Sequence, residues 1–296
     1  MRCDFHLHSN RSDGTLSPAE LADEAAREDV QVIALTDHDD VSGIATAAAR
    51  GRELGVEVLA GVELSVAEPD SGRQMHLLGL GIDPARPQLL ARLERIHAGR
   101  SARAERITAL LSECGVELPL EVLRAEAGPG VIGRPHVARA LVGLGVCANS
   151  NEAFSRYLRR GRPAFVPPPE LAALEAIELI HAAGGIAVLA HPALSIGVDA
   201  AGGIERFVEP LVADGLDGLE IWHPNHTPKR RKRLRRLAKL HGLVATGGSD
   251  FHGPARPGVR IGRGRGNLAL GESVLRAIRD RISDRRAQES ARSAGS

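Results

Sequence analysis

The chain has 296 residues, 43% hydrophobic but only 2% aromatic, so it can bury a sizeable core built from Ala, Val, Leu and Ile. A net charge of +1 gives no global field that would select nucleic acid or membrane as partner. Three cysteines without a CxxC pair exclude a disulfide framework, and no apolar run reaches membrane-spanning length. With no signal-peptide pattern at the N-terminus, the expectation is a cytoplasmic protein.

Cys3 to Leu7 reads as a short strand, which by two-residue alternation projects His6 and His8 from one face, with Asp13 following at a Gly turn. Ser17-Pro18-Ala19-Glu20 is a capping box that opens a helix to about Arg27. Val30–Leu35 is an apolar strand ending in Thr36-Asp37-His38-Asp39-Asp40. An Ala-rich helix from about Ser42 to Leu54 stops at Gly55. A strand over Val56–Leu59 exits through Gly61-Val62-Glu63-Leu64-Ser65, and a hairpin turn at Pro69-Asp70-Ser71-Gly72 leads to Met75-His76-Leu77.

From residue 87 to 162 strand signals vanish and charged helical periodicity takes over, punctuated by Gly128-Pro129-Gly130 and Gly133-Arg134-Pro135. This predicts a helical subdomain inserted between two parts of a barrel, 1–86 and 163–282. Alternation resumes after Pro167-Pro168-Pro169. A strand at 185–190 exits at His191-Pro192, and Gly218–Trp222 exits at His223-Pro224-Asn225-His226. A basic helix over 228–241 precedes a strand at 242–246, which exits through Ser249-Asp250-Phe251-His252. A last helix lies near 273–282, and the Ser, Arg and Ala-rich tail 283–296 is expected to be disordered.

Alternating β and α with apolar strands predicts a parallel sheet covered by helices. Metal-type residues at successive strand exits predict that it closes into a TIM-like barrel, whose sites gather at one rim. The set is His6, His8, Asp13, His38, Glu63, His76, His191, Asp250 and His252, which holds half of the twelve histidines. Strand exits filled at random would be mostly Gly, Ser, Asp and Asn, so chance is a poor explanation of the whole set. Six imidazoles and three carboxylates suit Mn, Fe or Zn better than Mg or Ca. Several divalent cations against three carboxylates would leave a positive centre suited to a phosphate dianion.

The motifs HLHSNRSDG, ALTDHDD, GVELS, the lone His76, AHP at 190–192 and GSDFH at 248–252 resemble the polymerase and histidinol phosphatase (PHP) superfamily. The resemblance implies an α/β fold, a distorted (β/α)7 TIM-like barrel with three metals. His6, His8, Glu63 and Asp250 would hold one; Asp13, His38 and His252 a second; His76 and His191 a third, bridged by Glu63. The helical insertion resembles the subfamily of nucleoside 3′,5′-bisphosphate phosphatases and 5′→3′ exoribonucleases. The expected activity is a metal-dependent phosphatase that hydrolyses such bisphosphates and trims short 5′-phosphorylated RNA. Mn is the expected metal, with Fe or Zn as substitutes. The alternatives are histidinol phosphatase, which lacks a reason for the insertion, and a non-catalytic nucleic-acid-binding module, which would not keep every ligand position. A lysine-bridged amidohydrolase is excluded because Lys229, Lys232 and Lys239 all lie in the basic helix.

Arg134 and His136, at the start of an insertion helix, are candidate substrate contacts. His223 is a candidate to donate to phosphate or protonate the leaving oxygen. Asp37 or Asp39 is a candidate to orient an imidazole. The basic run 229–239 reads as the solvated face of an outer barrel helix, and the scarcity of aromatic residues argues against a long stacked RNA path. A mononucleotide or the 5′ end of a short oligonucleotide fits better.

Overall fold

A computed structural model describes residues 1–67, 74–167, 171–194, 203–254 and 258–294. The expected turn at 69–72 and part of Pro167–Pro169 lie outside them. Among the described residues seven strands form one curled sheet in sequence order: β1 (Cys3–Leu7), β2 (Val32–Leu35), β3 (Glu57–Ala67), β4 (Gln74–Leu80), β5 (Ile186–Leu189), β6 (Gly218–Trp222) and β7 (Val244–Gly247). Ten α-helices and a short π-helix (Phe154–Leu158) accompany them there. α1 (Pro18–Arg27) and α2 (Ile44–Leu54) alternate with the first strands. α3 (Pro87–Glu113), α4 (Leu120–Ala127), α5 (Arg134–Gly143) and α6 (Ser150–Ala153) lie between β4 and β5. α7 (Ala173–Ala182), α8 (Glu205–Ala213), α9 (Pro228–Leu240) and α10 (Glu272–Ala294) complete the set.

The capping box forms as the sequence predicts: Ser17 Oγ accepts from Glu20 N, and Glu20 reaches back to Ser17 N. Strand polarity departs from the all-parallel expectation. β4 runs antiparallel to both β3 and β5. β3 is also longer than predicted, so Glu63 lies inside it rather than at an exit. The turn residues at 69–72 point to a β3–β4 hairpin, but alternation carries no information on strand direction, so the antiparallel pairing of β4 with β5 was not readable. Its consequence is local. Ser65 pairs with His76, which places Glu63, Ser65 and His76 on one face of the β3–β4 ribbon. Because β4 is reversed, its beginning lies at the rim where the parallel strands end.

The edges of the sheet approach each other. Asp250 N donates to His6 O and His8 N to Phe251 O, both at 3.0 Å. Gly248 permits this, because a Cβ there would stand 2.3 Å from His6 Cβ. One apolar cluster unites β3–β6 with α3, α7, α8 and α9. A separate cluster, from Ala104 to Ala164, lies wholly within the helical stretch between β4 and β5.

The tail expected to be disordered is helical, since α10 continues to Ala294. Its arginines explain why. Arg285 Nε donates to the buried Asp217 at 2.6 Å, and Arg286 donates to the carbonyls of Gly184 and Gly81. A composition typical of disorder is overridden by tertiary partners the sequence does not display.

Candidate metal centre

The structure brings all nine predicted ligands together around one carboxylate. Glu63 Oε2 lies 3.1 Å from His6 Nε2, 3.0 Å from His8 Nε2 and 3.2 Å from His38 Nδ1. Its Oε1 lies 2.8 Å from His76 Nδ1 and 3.0 Å from His191 Nε2. Asp250 Oδ1 is 3.3 Å from His8 Nε2 and 3.6 Å from His6 Nε2. Asp13 Oδ1 is 3.2 Å from His252 Nε2 and 4.0 Å from His38 Nε2. Donor atoms within 4.8 Å of one another fall into four overlapping groups. These are His8–Asp13–His38–His252, His6–His8–Asp250, His6–Glu63–His191 and His38–Glu63–His76.

The donor chemistry fits divalent cations. A carboxylate offers about four acceptor positions, yet five imidazole nitrogens crowd Glu63. Glu220, which the sequence analysis did not single out, makes the case sharper. Its Oε1 lies 3.0 Å from His6 Nδ1 and its Oε2 accepts from His191 N at 2.6 Å, with Glu220 and His6 fully buried. Glu220 therefore keeps a proton on His6 Nδ1, and the neutral ring directs a bare Nε2 at His8 Nε2, 3.1 Å away, and at Glu63. Facing lone pairs repel unless a proton or a cation lies between them. Burial alone would lower the His6 pKa, but Glu220 and Glu63 raise it well above its ordinary value. A divalent cation would replace that proton. Asp13 Oδ1 and His38 Nδ1 are also buried without a properly directed hydrogen bond. For His38 burial prevails, lowering its pKa to about 3 and leaving a neutral donor ring.

The backbone is strained at this centre. Only four described residues other than glycine have positive φ, and Asp39, His191 and Asp250 are among them. Each such residue costs about 1–3 kcal/mol and persists where the surroundings over-determine it.

The other predicted residues are placed as follows. His223 is buried; its Nδ1 accepts from Asn225 N at 3.2 Å, so its proton sits on Nε2, 3.4 Å from Asp250 Oδ2. Arg134 lines a cavity of about 160 Å³ together with Asp13, His38, His76, Arg100 and Arg103. Its Nη2 donates to Gln74 at 2.7 Å, and its guanidinium lies over the Phe165 ring. Burial, then the charge of Arg100, lowers its pKa. Burial, with Arg134 and Arg100 nearby, lowers Arg103 to about 9. Three guanidiniums thus crowd one wall. Arg100 pairs with Asp39 and bonds Ser65, while Arg103 donates to Val166 O. His136 also faces the cavity, but its Nδ1 accepts Gly133 N at 2.9 Å, which commits that atom to the start of α5.

Among the described residues no imidazole bonds the carboxylate of Asp37 or Asp39; His97 Nε2 bonds the Asp39 backbone oxygen at 2.6 Å. Asp37 gathers Ser9 N, Ser9 Oγ and Ser12 Oγ at 2.6–2.7 Å, folding the loop that carries Asp13. Asp39 accepts Ser65 N and holds Arg100. Arg100 and Arg103 were missed because α3 reads as an ordinary charged helix. Glu220 had one signal, a carboxylate inside the otherwise apolar strand Gly218–Trp222.

A curled α/β sheet carrying this His and carboxylate centre defines a class of metal-dependent phosphoesterase. A family model, the PHP domain, matches residues 4–111, and the chain belongs to the PHP family as a metal-dependent hydrolase of phosphate esters. Two relatives are similar over nearly their whole length. The 5′-3′ exoribonuclease of Haemophilus influenzae is 39% identical over 276 residues, covering 92% of this chain and 96% of that protein. The 3′,5′-nucleoside bisphosphate phosphatase of Chromobacterium violaceum is 37% identical, covering 94% and 97%. A Bifidobacterium adolescentis crystal structure described as a metal-dependent phosphoesterase superposes with a TM-score of 0.81 at 30% identity, covering 93% of this chain and 94% of that one.

Proposed function

We propose that this chain removes one phosphate from nucleoside 3′,5′-bisphosphates, leaving the 5′-nucleotide, and trims short 5′-phosphorylated RNA at the same centre. The observation that carries this reading is a cavity lined by both kinds of group: Asp13, His38 and His76 of the candidate metal centre, and Arg100, Arg103 and Arg134 from α3 and α5. A substrate bearing two phosphates offers one to the metal centre and one to the guanidiniums; a monophosphate satisfies only one of them.

In this reading His6, His8, Glu63 and Asp250 hold one cation, Asp13, His38 and His252 a second, and His76 and His191 a third, with Glu63 shared. Manganese is favoured and iron or zinc would serve. Bound cations would supply Lewis acidity toward the phosphate oxygens and lower the pKa of the attacking water. The chain's own part is positional. Arg134 holds the phosphate that is not cleaved, with Phe165 and Gln74 fixing its plane. His223 presents Nε2–H toward the centre, its tautomer set by Asn225 N, and donates to the leaving oxygen. The curled sheet is a distorted (β/α)7 barrel made of residues 1–86 and 163–282, with 87–162 inserted as a helical subdomain. The separate apolar cluster from Ala104 to Ala164 supports that division.

The test is a hydrolysis panel with Mn²⁺ on adenosine 3′,5′-bisphosphate, 5′-AMP, histidinol phosphate and a 5′-phosphorylated RNA. One phosphate released per bisphosphate, with 5′-AMP as a stable product, is expected. Arg134→Ala should lower kcat/KM for the bisphosphate by roughly 10–100-fold, the worth of a charged hydrogen bond, without changing metal content. Turnover confined to histidinol phosphate would overturn the substrate assignment.

A further inference from the structure

The helix after β6 has an unusual charge distribution. α9 carries eight Lys and Arg residues and no acid, including every lysine in the protein. Since the whole chain has a net charge of +1, the rest of it is net negative, and α9 is a localised positive pole. Several helical arginines elsewhere are offset: Arg50 by Asp23 and Glu53, Arg139 by Glu126, Arg156 by Glu152. On α9 only Arg233 is paired with a carboxylate among the described residues, at Glu205. Like charges at three- and four-residue spacing weaken a helix by about 0.2–0.5 kcal/mol per pair, so this arrangement is costly as it stands.

Packing sorts these cations. Leu234, Leu237 and Ala238 are buried against the sheet. Arg231 is spent on the carbonyls of His223 and Asn267. Lys229, Lys232, Arg236 and Lys239 are exposed and follow one another at three- and four-residue steps. They form a single ridge about 15 Å long with a charge roughly every 5 Å. α9 begins at Pro228, five residues after His223, and Arg231 Nη2 donates to the His223 carbonyl, so the N-terminal end of the helix lies toward the rim that carries the metal centre.

We propose that this ridge holds the phosphate backbone of single-stranded RNA downstream of the 5′ end being cut. The proposal deepens the reading of the site given above and rests on it for the position of the 5′ end. Regular charges with no aromatic platform along them suit a phosphate backbone read without base preference. A membrane surface fits less well, since the apolar face that would enter lipid is already buried on the sheet.

The experiment measures binding of a 5′-phosphorylated 12-nucleotide RNA to the full chain by fluorescence anisotropy in EDTA, across a salt series. Wild type is compared with the quadruple variant Lys229→Ala, Lys232→Ala, Arg236→Ala, Lys239→Ala and with Lys232→Glu/Arg236→Glu, which touches only two positions. At about 0.7 per phosphate contact, four lost contacts should flatten the slope of log K against log salt by about 2.8 and weaken binding about tenfold or more at low salt. Wild type should also bind the 12-mer at least about tenfold more tightly than a 5′-phosphorylated dinucleotide, too short to reach the ridge. Adenosine 3′,5′-bisphosphate turnover with Mn²⁺ should be unchanged in both variants. Equal slopes, or equal affinity for both lengths, would overturn the proposal. So would ridge-dependent binding to phosphatidylserine vesicles without ridge-dependent binding to RNA. Because binding is read without metal, loss of bisphosphate turnover in wild type would count against the proposed reaction alone.

Discussion

Glu220 stands in the middle of β6, far from the exit at which a metal residue is looked for, yet it sets the protonation of the centre. By holding His6 Nδ1 and the His191 backbone together it fixes a tautomer and the strained turn at His191. Glu220→Gln keeps the volume but offers one acceptor where two are used. Such partners are worth about 10–100-fold in metal affinity, so chelator competition should show a loss of that size in a folded protein. Unchanged affinity would mean that Glu220 only fills space. A second single-residue prediction concerns His226. It is buried, its Nδ1–H donates to Ile221 O, and its Nε2 has no hydrogen-bond partner. Burial lowers its pKa to about 4, and that of His136 likewise to about 4. The unfolded chain takes up these protons near pH 6.5 and the native state only near 4, so stability should fall as pH drops between those values. His226→Asn should flatten the fall in urea unfolding measured at pH 7.5 and 5; an equal pH dependence would contradict this assignment. At this scale the nine candidate ligands were legible because His and carboxylates are conspicuous beside apolar strands. Glu220, Arg100 and Arg103 were not, because their roles depend on neighbours distant in sequence.

For the elements, positions were more legible than directions. Every strand and helix that carries a candidate ligand was visible as a run of alternating or periodic residues, and the Ser17 cap appeared as written. The turn residues at 69–72 pointed to the β3–β4 hairpin, whereas the length of β3 and the antiparallel β4–β5 pair were hidden, since period two is the same in either direction. What the hairpin achieves is to set His76 diagonally across from Glu63. The joining of β1 to the segment after β7 rests on Gly248, whose missing Cβ leaves room for His6. Gly248→Ala should destabilise the fold by about 1–3 kcal/mol and reduce metal content, because the added methyl pushes Asp250 away from His6 and His8. A normal melting temperature with full metal loading would show that the two segments separate easily. The end of α10 offers a parallel case. Truncation after Ile282 removes Arg285 and Arg286 and leaves the buried Asp217 short of a donor. A loss of about 1–3 kcal/mol in unfolding free energy is expected. No change would restore the reading of this segment as a dispensable tail.

Across the whole molecule, a net charge near zero conceals strong local separation: a cage of carboxylates and imidazoles, three arginines lining the cavity beside it, and a basic ridge along α9. Composition reports only the sum, which is why it argued against any charged partner while the folded chain presents three distinct electrostatic regions. All three depend on the cage, and it can be tested without any substrate. Purified protein, stripped and then resupplied separately with manganese, iron and zinc, should retain about three equivalents of metal after gel filtration, as measured by elemental analysis. Glu63→Gln, at the point where the imidazoles converge, should retain clearly fewer. A wild-type protein that keeps no metal under all three conditions would contradict the account.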